Sequence, residues 1–218
     1  MKLKRILSAI LMLSPFHCFA DHRPEARDWI LSVSERSASW QFLGTLDLPS
    51  GSIFIGDPSR GGDYHLRGIK EVNAARLSVW LLIADDSKQV HTVWLEADGD
   101  LPEKISGEIV FGIDSAYFAF GDLWSGQDLA NIGDLNLPKL PDSFEFFLPH
   151  IQNPGFTGIW LDVPPRNSPV CAVETNRDGG LKAVWTEGGG GRFSGILIDI
   201  TGRRSDELYL DKLIVMDA

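Results

Sequence analysis

The sequence is poor in cysteine, with only Cys18 and Cys171 among 218 residues. Cys18 lies in an N-terminal segment that we expect to be removed, so the mature chain keeps one thiol and no internal disulfide. The hydrophobic core must then supply the stability of the fold. Cys171 lies in the apolar run Val170–Val173 and is predicted to be a buried small residue, because a nucleophile would need a nearby base and the sequence indicates none.

The sequence also has no long apolar run, and the apolar run near the N-terminus is short. Ile6–Leu13 follows three basic residues, stops before Pro15 and precedes the small residue Ala20. A membrane span takes about 20 apolar residues, so this pattern predicts a secretory signal peptide over residues 1–20. A buried helix is the alternative. We expect a periplasmic or secreted protein that has no lipid anchor and no membrane contact after cleavage.

Basic charge is scarce: the chain has 20 Lys and Arg against 30 Asp and Glu, a net charge of −10. Loss of residues 1–20 would remove three basic residues and no acidic ones, leaving −13. Such a charge repels nucleic acid phosphates and anionic lipid. It fits a basic protein partner or a cation, and plain solubility is the alternative interpretation.

Motifs of common catalytic and metal sites are absent. The run Gly188–Gly191 lacks the Gly-Lys-Ser/Thr ending of a phosphate-binding loop and is predicted to be a hairpin turn. No Gly-x-Ser-x-Gly nucleophile elbow and no calcium loop of the EF-hand type is found. The histidines His65, His91 and His150 are scattered without a metal-ligand spacing. We therefore predict no metal and no cofactor.

Strand-like segments dominate the remaining sequence. They predict a mainly β fold of antiparallel sheets, sandwich-like or a meander, with one or two short helices. One helix is predicted over Glu25–Arg36, where Trp29, Ile30 and Val33 have helical spacing. We expect one globular domain over residues 21–218. Residues 125–165 hold six prolines and are predicted to form an irregular insertion that covers one side of the core.

Three strand pairings are predicted from turn residues. The first hairpin joins 41–48 to 52–55 across Pro49–Gly51. The second joins 77–84 to 90–96 and places Trp80 near Trp94. The C-terminal third is predicted to be a meander of strands at 170–174, 181–186 and 193–200, followed by a strand or short helix at 209–215.

Candidate site residues come from acids that lie beside glycines, above all in the aromatic stretch Phe111–Asp122. This stretch has the composition of a packed strand between acidic turns, or of the wall of a binding site. Asp next to Gly is ordinary turn chemistry. The alternatives are a calcium site or a pair of carboxylates that hydrolyses glycosides. The candidates are Asp57, Asp114, Asp122 and Asp178.

Several short motifs occur in an order that resembles an uncharacterised bacterial domain-of-unknown-function family. They are Leu48–Gly51, Gly56–Pro58, Phe111–Ala116, and Asp178–Gly180 followed by a Trp-containing strand, a Gly-rich turn and a strand that ends in Asp199. The resemblance covers residues 43–122 and 172–200. That family has no established activity, so the resemblance implies one continuous domain rather than a function. The Pro-rich middle and the secretion signal depart from its pattern.

The function that we expect from these features is binding rather than catalysis. The predicted protein is a secreted or periplasmic acidic binding protein, an immunity or inhibitor protein for a basic toxin or enzyme. The alternatives are a carboxylate-dependent hydrolase of cell-wall or sugar polymers, and a module that binds carbohydrate or calcium. The sequence indicates neither the partner nor the oligomeric state.

Overall fold

The structure is a computed structural model that describes residues 38–57, 66–69, 72, 74–97, 102–113, 116–130, 146, 149, 157–176 and 179–200. The predicted signal peptide, the predicted helix over Glu25–Arg36, the candidates Asp114 and Asp178, and the predicted element at 209–215 lie outside these ranges. In the described part of the chain, no helix is long and apolar enough to cross a membrane.

The described residues form two antiparallel sheets and one α-helix. The strands are β1 Ala38–Asp47, β2 Ile53–Gly56, β3 Leu66–Ile69, β4 Arg76–Ala84, β5 Val90–Ala97, β6 Lys104–Ile113, β7 Tyr117–Asp122, β8 Gly158–Val163, β9 Ser168–Glu174, β10 Gly179–Glu187 and β11 Phe193–Asp199. Helix α1 spans Leu123–Ala130, and a 3-10 turn spans Gly189–Gly191. The predicted mainly β fold is confirmed.

The two sheets share the main hydrophobic core. The six-stranded sheet has the order β1-β4-β5-β11-β10-β6, and the five-stranded sheet has the order β3-β2-β7-β9-β8. One face of each sheet contributes fully buried apolar side chains, because residues two apart on a strand point the same way. These side chains include Leu81, Val93 and Ile196 from the first sheet and Ile55, Phe118, Phe120 and Cys171 from the second.

The predicted hairpin of β4 and β5 is confirmed. The two strands are antiparallel, and Trp80 lies directly opposite Trp94. The indole N–H of Trp80 donates to the carboxylate of Glu96 at 3.1 Å. The predicted turn at Gly188–Gly191 is also confirmed, since it joins the paired strands β10 and β11.

The predicted hairpin across Pro49–Gly51 is wrong. Strand β1 pairs with β4, whereas β2 pairs with β3 and β7, so the turn carries the chain from one sheet to the other. The same turn residues are compatible with a hairpin and with a connection between two sheets, and long-range contacts determine which one forms. One such contact is the hydrogen bond that the N–H of Leu48 donates to the carbonyl of Ala75. The C-terminal strands are likewise no simple meander, because β9 lies in the five-stranded sheet and β10 in the other.

The region predicted as an irregular insertion contains regular structure at both of its ends. Most of α1 lies at its start, and the whole of β8 lies near its end as the edge strand beside β9. Leu129 of α1 packs on the outer face of the five-stranded sheet with Phe54 and Leu161. Gly126 permits this close approach, because a Cβ there would lie 2.6 Å from the ring of Phe54.

The two sheets are joined at one side by a tryptophan. The indole N–H of Trp160 in β8 donates to the carbonyl of Leu43 in β1 at 3.0 Å. The register of β1 against β4 shifts between Phe42 and Gly44, which marks a β-bulge at this point. Gly44 has a φ of 147°, and a Cβ there would lie 2.9 Å from Nε1 of Trp160. The bulge therefore makes room for the ring and turns a carbonyl toward it.

Candidate functional site

Asp122, one of the four candidates, is buried and hydrogen-bonded through both carboxylate oxygens. It is the last residue of β7, and its Oδ1 accepts from the N–H of Trp124 at 2.9 Å, which is the geometry of a helix N-cap. Its Oδ2 accepts from the N–H of Ser50 at 2.9 Å and lies 2.6 Å from the Ser50 hydroxyl. The carboxylate thus starts α1 and holds the turn between β1 and β2 against it.

Asp57, the second described candidate, is only 1% exposed and lies at the far end of β2 from Asp122. Ile53 pairs with Asp122 and Gly56 with Ala119, so the two acids are separated by the length of the strand, about 13 Å at a rise of about 3.3 Å per residue. Glycosidase carboxylates lie about 5 to 9.5 Å apart. The backbone positions of the two acids are therefore further apart than the carboxyl groups of a glycosidase pair, and both oxygens of Asp122 are already hydrogen-bonded within the fold.

The other two candidates, Asp114 and Asp178, lie outside the described residues. Their described neighbours in sequence are Ile113, which ends β6, and Gly179, which begins β10. These two neighbours are paired in register at one end of the six-stranded sheet.

Three residues that the sequence analysis did not select meet beside α1: Trp124 and Asp128 of the helix and Arg166 from the turn after β8. We call them the α1 surface patch. Trp124 is one of the large apolar residues that the fold leaves exposed, at 45%. The guanidinium carbon of Arg166 lies 5.9 Å from the centre of the indole ring, within reach of a cation–π contact. Its Nη1 donates to the Trp124 carbonyl at 3.2 Å and lies 3.5 Å from Oδ1 of Asp128.

Asp128 is the buried member of the patch. Its Oδ2 and the hydroxyl of Ser125, one helical turn earlier, have no hydrogen-bond partner in the described part of the chain. Burial raises the pKa of Asp128 above its usual value of 3.8, and the nearby Arg166 guanidinium lowers it in part. The acid is therefore held by Arg166 in two ways, by its half-exposed guanidinium and by a backbone hydrogen bond.

The patch has the chemistry of recognition. An exposed indole offers a flat apolar surface, and the guanidinium beside it offers N–H donors, while the nearby carboxylate of Asp128 offsets its positive charge. Neither group is a nucleophile or a general base. The sequence carried one signal for it, a Trp two residues after a capping Asp, but Arg166 is 42 positions beyond Trp124 and only the tertiary fold places it there.

Metal ligation was one alternative for the acids. Within the described ranges, no group of three or more His, Cys, Asp or Glu side chains could hold a metal ion. Comparisons with known protein families, curated proteins and solved structures gave no match. The resemblance to a domain-of-unknown-function family therefore stays a prediction, and the function is argued from the site alone.

Proposed function

We propose that the protein is a secreted or periplasmic acidic binding protein, an immunity or inhibitor protein for a basic toxin or enzyme, and that it binds through the α1 surface patch. The observation that carries this proposal is Trp124. Its large indole is 45% exposed, and the guanidinium of Arg166 lies over the ring. Trp and Arg are enriched among the residues that dominate binding energy at protein interfaces.

The geometry of the patch lowers the cost of binding. Arg166 contacts the ring, the backbone carbonyl of Trp124 and the carboxylate of Asp128, so its long side chain is partly ordered before a partner arrives. Ordering a rotamer-rich side chain on binding costs about 0.5–1.5 kcal/mol. A patch that is ordered in advance avoids part of this cost.

The charge of the chain supports a basic partner. A net charge of −10 attracts a positively charged protein over distances near the Debye length, about 8–10 Å at physiological salt. Attraction of this kind acts on the association rate more than on the lifetime of the complex. Association that slows as salt rises is the expected kinetic signature.

The test compares the wild-type protein with Trp124→Ala and with Phe42→Ala, a control at another exposed aromatic on β1. Each protein is immobilised, exposed to a periplasmic extract of the source cells, and the retained protein is purified and titrated against all three. We expect a basic protein whose dissociation constant rises about tenfold or more with Trp124→Ala. It should change little with Phe42→Ala.

Two results would overturn the proposal. One is a partner that binds Trp124→Ala as tightly as the wild type. The other is hydrolytic turnover of cell-wall or sugar polymers by the purified protein alone, which would favour the predicted hydrolase instead.

The exposed indole also supports a second candidate, a carbohydrate-binding module. Aromatic rings in such modules stack on sugar rings, and Trp124 is 45% exposed. Titration calorimetry with soluble cell-wall and sugar oligomers distinguishes the two candidates. Sugar binding that survives Trp124→Phe and is lost in Trp124→Ala would favour the carbohydrate-binding module. No heat of binding with any oligomer would favour the protein-binding function.

A further inference from the structure

The two sheets have four edge strands, and three of them are short or blocked. In the five-stranded sheet, β3 has four residues and β8 has six. In the six-stranded sheet, β1 is interrupted by its bulge and joined to β8 by the Trp160 hydrogen bond. Bulges and covering contacts are the usual means by which edge strands avoid pairing with other chains.

Strand β6, the other edge of the six-stranded sheet, is less protected, because its β-bulge lies near its start, where its register against β10 shifts between Ile105 and Gly107. It has ten residues, and its seven residues Gly107–Ile113 pair with β10 in an unbroken register. In the described part of the chain, no strand lies on its other side. Alternate N–H and C=O groups of an edge strand point away from the sheet, so this stretch offers a regular row of donors and acceptors.

The side chains of β6 also leave the edge open. Val110 is 60% exposed, and a Cβ at Gly112 would meet nothing within 4 Å. The nearby charged side chains pair with each other within the sheet, since Lys182 of β10 lies 2.6 Å from the carboxylate of Glu108. Lys104, the lysine of β6, lies six residues from Val110 and pairs with Glu187 of β10. The surface around Val110 therefore combines one exposed apolar side chain and the bare Gly112 with the Glu108–Lys182 ion pair, in which Lys182 lies directly opposite Val110.

We propose that β6 is a strand-addition site that takes an extended segment of a basic protein partner. The added strand would pair along Gly107–Ile113, with an apolar or aromatic side chain over Val110 and Gly112 and with Lys or Arg side chains on either side. Aromatic side chains pack well across glycines on a neighbouring strand. The proposal rests on the proposed function only for the basic character of the partner; a second copy of this chain would carry the same net charge of −10 and be repelled.

The test uses a fluorescent seven-residue peptide that alternates lysine with valine or phenylalanine, matched to the length of Gly107–Ile113. Its control is the same peptide N-methylated at each residue, which keeps every side chain and charge but cannot donate to a strand ladder. We expect saturable binding of the first peptide, and binding about tenfold or more weaker for the second. Hydrogen exchange should slow in β6 and stay unchanged in β1, the opposite edge of the same sheet.

Two variants locate the binding. Val110→Lys places a positive charge on the edge and should weaken the peptide about tenfold, whereas Gln41→Lys on exposed β1 adds the same charge and should not. Equal binding of both peptides, or equal effects of both variants, would overturn the proposal and indicate unspecific charge attraction.

A dimer in light scattering that Val110→Lys dissociates would overturn it in favour of self-pairing. Trp124→Ala should leave peptide binding unchanged, so failure at β6 is distinguishable from failure of the α1 surface patch.

Discussion

At the scale of single residues, Asp122 shows how one carboxylate can serve two parts of the chain. Its Oδ1 caps α1 and its Oδ2 holds Ser50, which is 72 positions away. The sequence placed Asp122 in an acidic turn beside an apolar run, and that placement is close to the position observed. What the sequence could not indicate was the partner, because Ser50 lies in a turn that looked like a simple hairpin.

The first prediction concerns this cap. We expect Asp122→Ala to lower the free energy of unfolding by about 1.5–5 kcal/mol, from the lost cap at about 0.5–2 and from unmet donors of Ser50 at about 1–3. Asp122→Asn keeps one acceptor oxygen and should cost less. Urea unfolding measures both. Asp47→Ala is the control, since its exposed ion pair with Arg76 should contribute at most about 1 kcal/mol.

The second prediction concerns Asp128 and pH. Burial raises the pKa of Asp128, so the folded protein holds this proton more tightly than the unfolded chain. The stabilisation is complete below about pH 3.8 and is lost as the pH rises through the folded-state pKa. Asp128→Asn, which cannot ionise, should therefore be more stable than the wild type at pH 7 and similar to it near pH 3.

Urea unfolding at the two pH values checks this prediction. Asp162→Asn, a change at an exposed carboxylate on β8, is the matched control and should leave the free energy of unfolding nearly unchanged. An Asp128→Asn protein that is less stable at pH 7 would mean that the contact with Arg166 outweighs the cost of burial.

At the scale of elements, strands were predictable where the pairing is local. The β4–β5 hairpin follows from two apolar runs around one polar loop, and Trp80 and Trp94 meet as expected. Helix α1 was missed because Ser125 and Gly126 form helices poorly, and eight residues give a weak periodic signal. Its stability comes from the cap and from packing on the sheet, which a local pattern does not contain.

The third prediction tests the link between the two sheets. Trp160→Phe removes the N–H that Leu43 accepts and should cost about 0.5–1.5 kcal/mol for the hydrogen bond alone, with a further loss from the smaller ring. Trp124→Phe makes the same chemical change at an exposed indole and should leave the free energy of unfolding within about 0.5 kcal/mol of the wild type. Thermal and urea unfolding of the pair decide the matter: equal effects would contradict the assigned role of Trp160.

At the scale of the whole molecule, the core of the sandwich determines the behaviour of Cys171. Its side chain is fully buried between the sheets, as the apolar run around it predicted. Burial raises the pKa of the Cys171 thiol well above its usual value of 9.0, so the reactive thiolate is scarce in the folded protein. The α1 surface patch, by contrast, could not be predicted, since its members come from different parts of the chain.

The fourth prediction follows from this burial. In a Cys18→Ser protein at pH 8, a thiol reagent should modify Cys171 only as fast as the domain unfolds, and addition of urea should raise the rate steeply. Gln41→Cys in a Cys18→Ser, Cys171→Ser background gives the rate of an exposed thiol for comparison. Rapid modification of Cys171 in native buffer would show that the sandwich opens locally.

The double role of Asp122 also has a consequence for the order in which parts of the chain fold. An isolated helix of eight residues is unstable in water, because nucleation costs more than so few hydrogen bonds return. We therefore expect α1 to form late, once β7 has paired with β2 and the Ser50 turn has closed on the same carboxylate. The turn and the helix should gain protection from solvent in a single kinetic step, although three of the six strands of the larger sheet lie between them in the sequence.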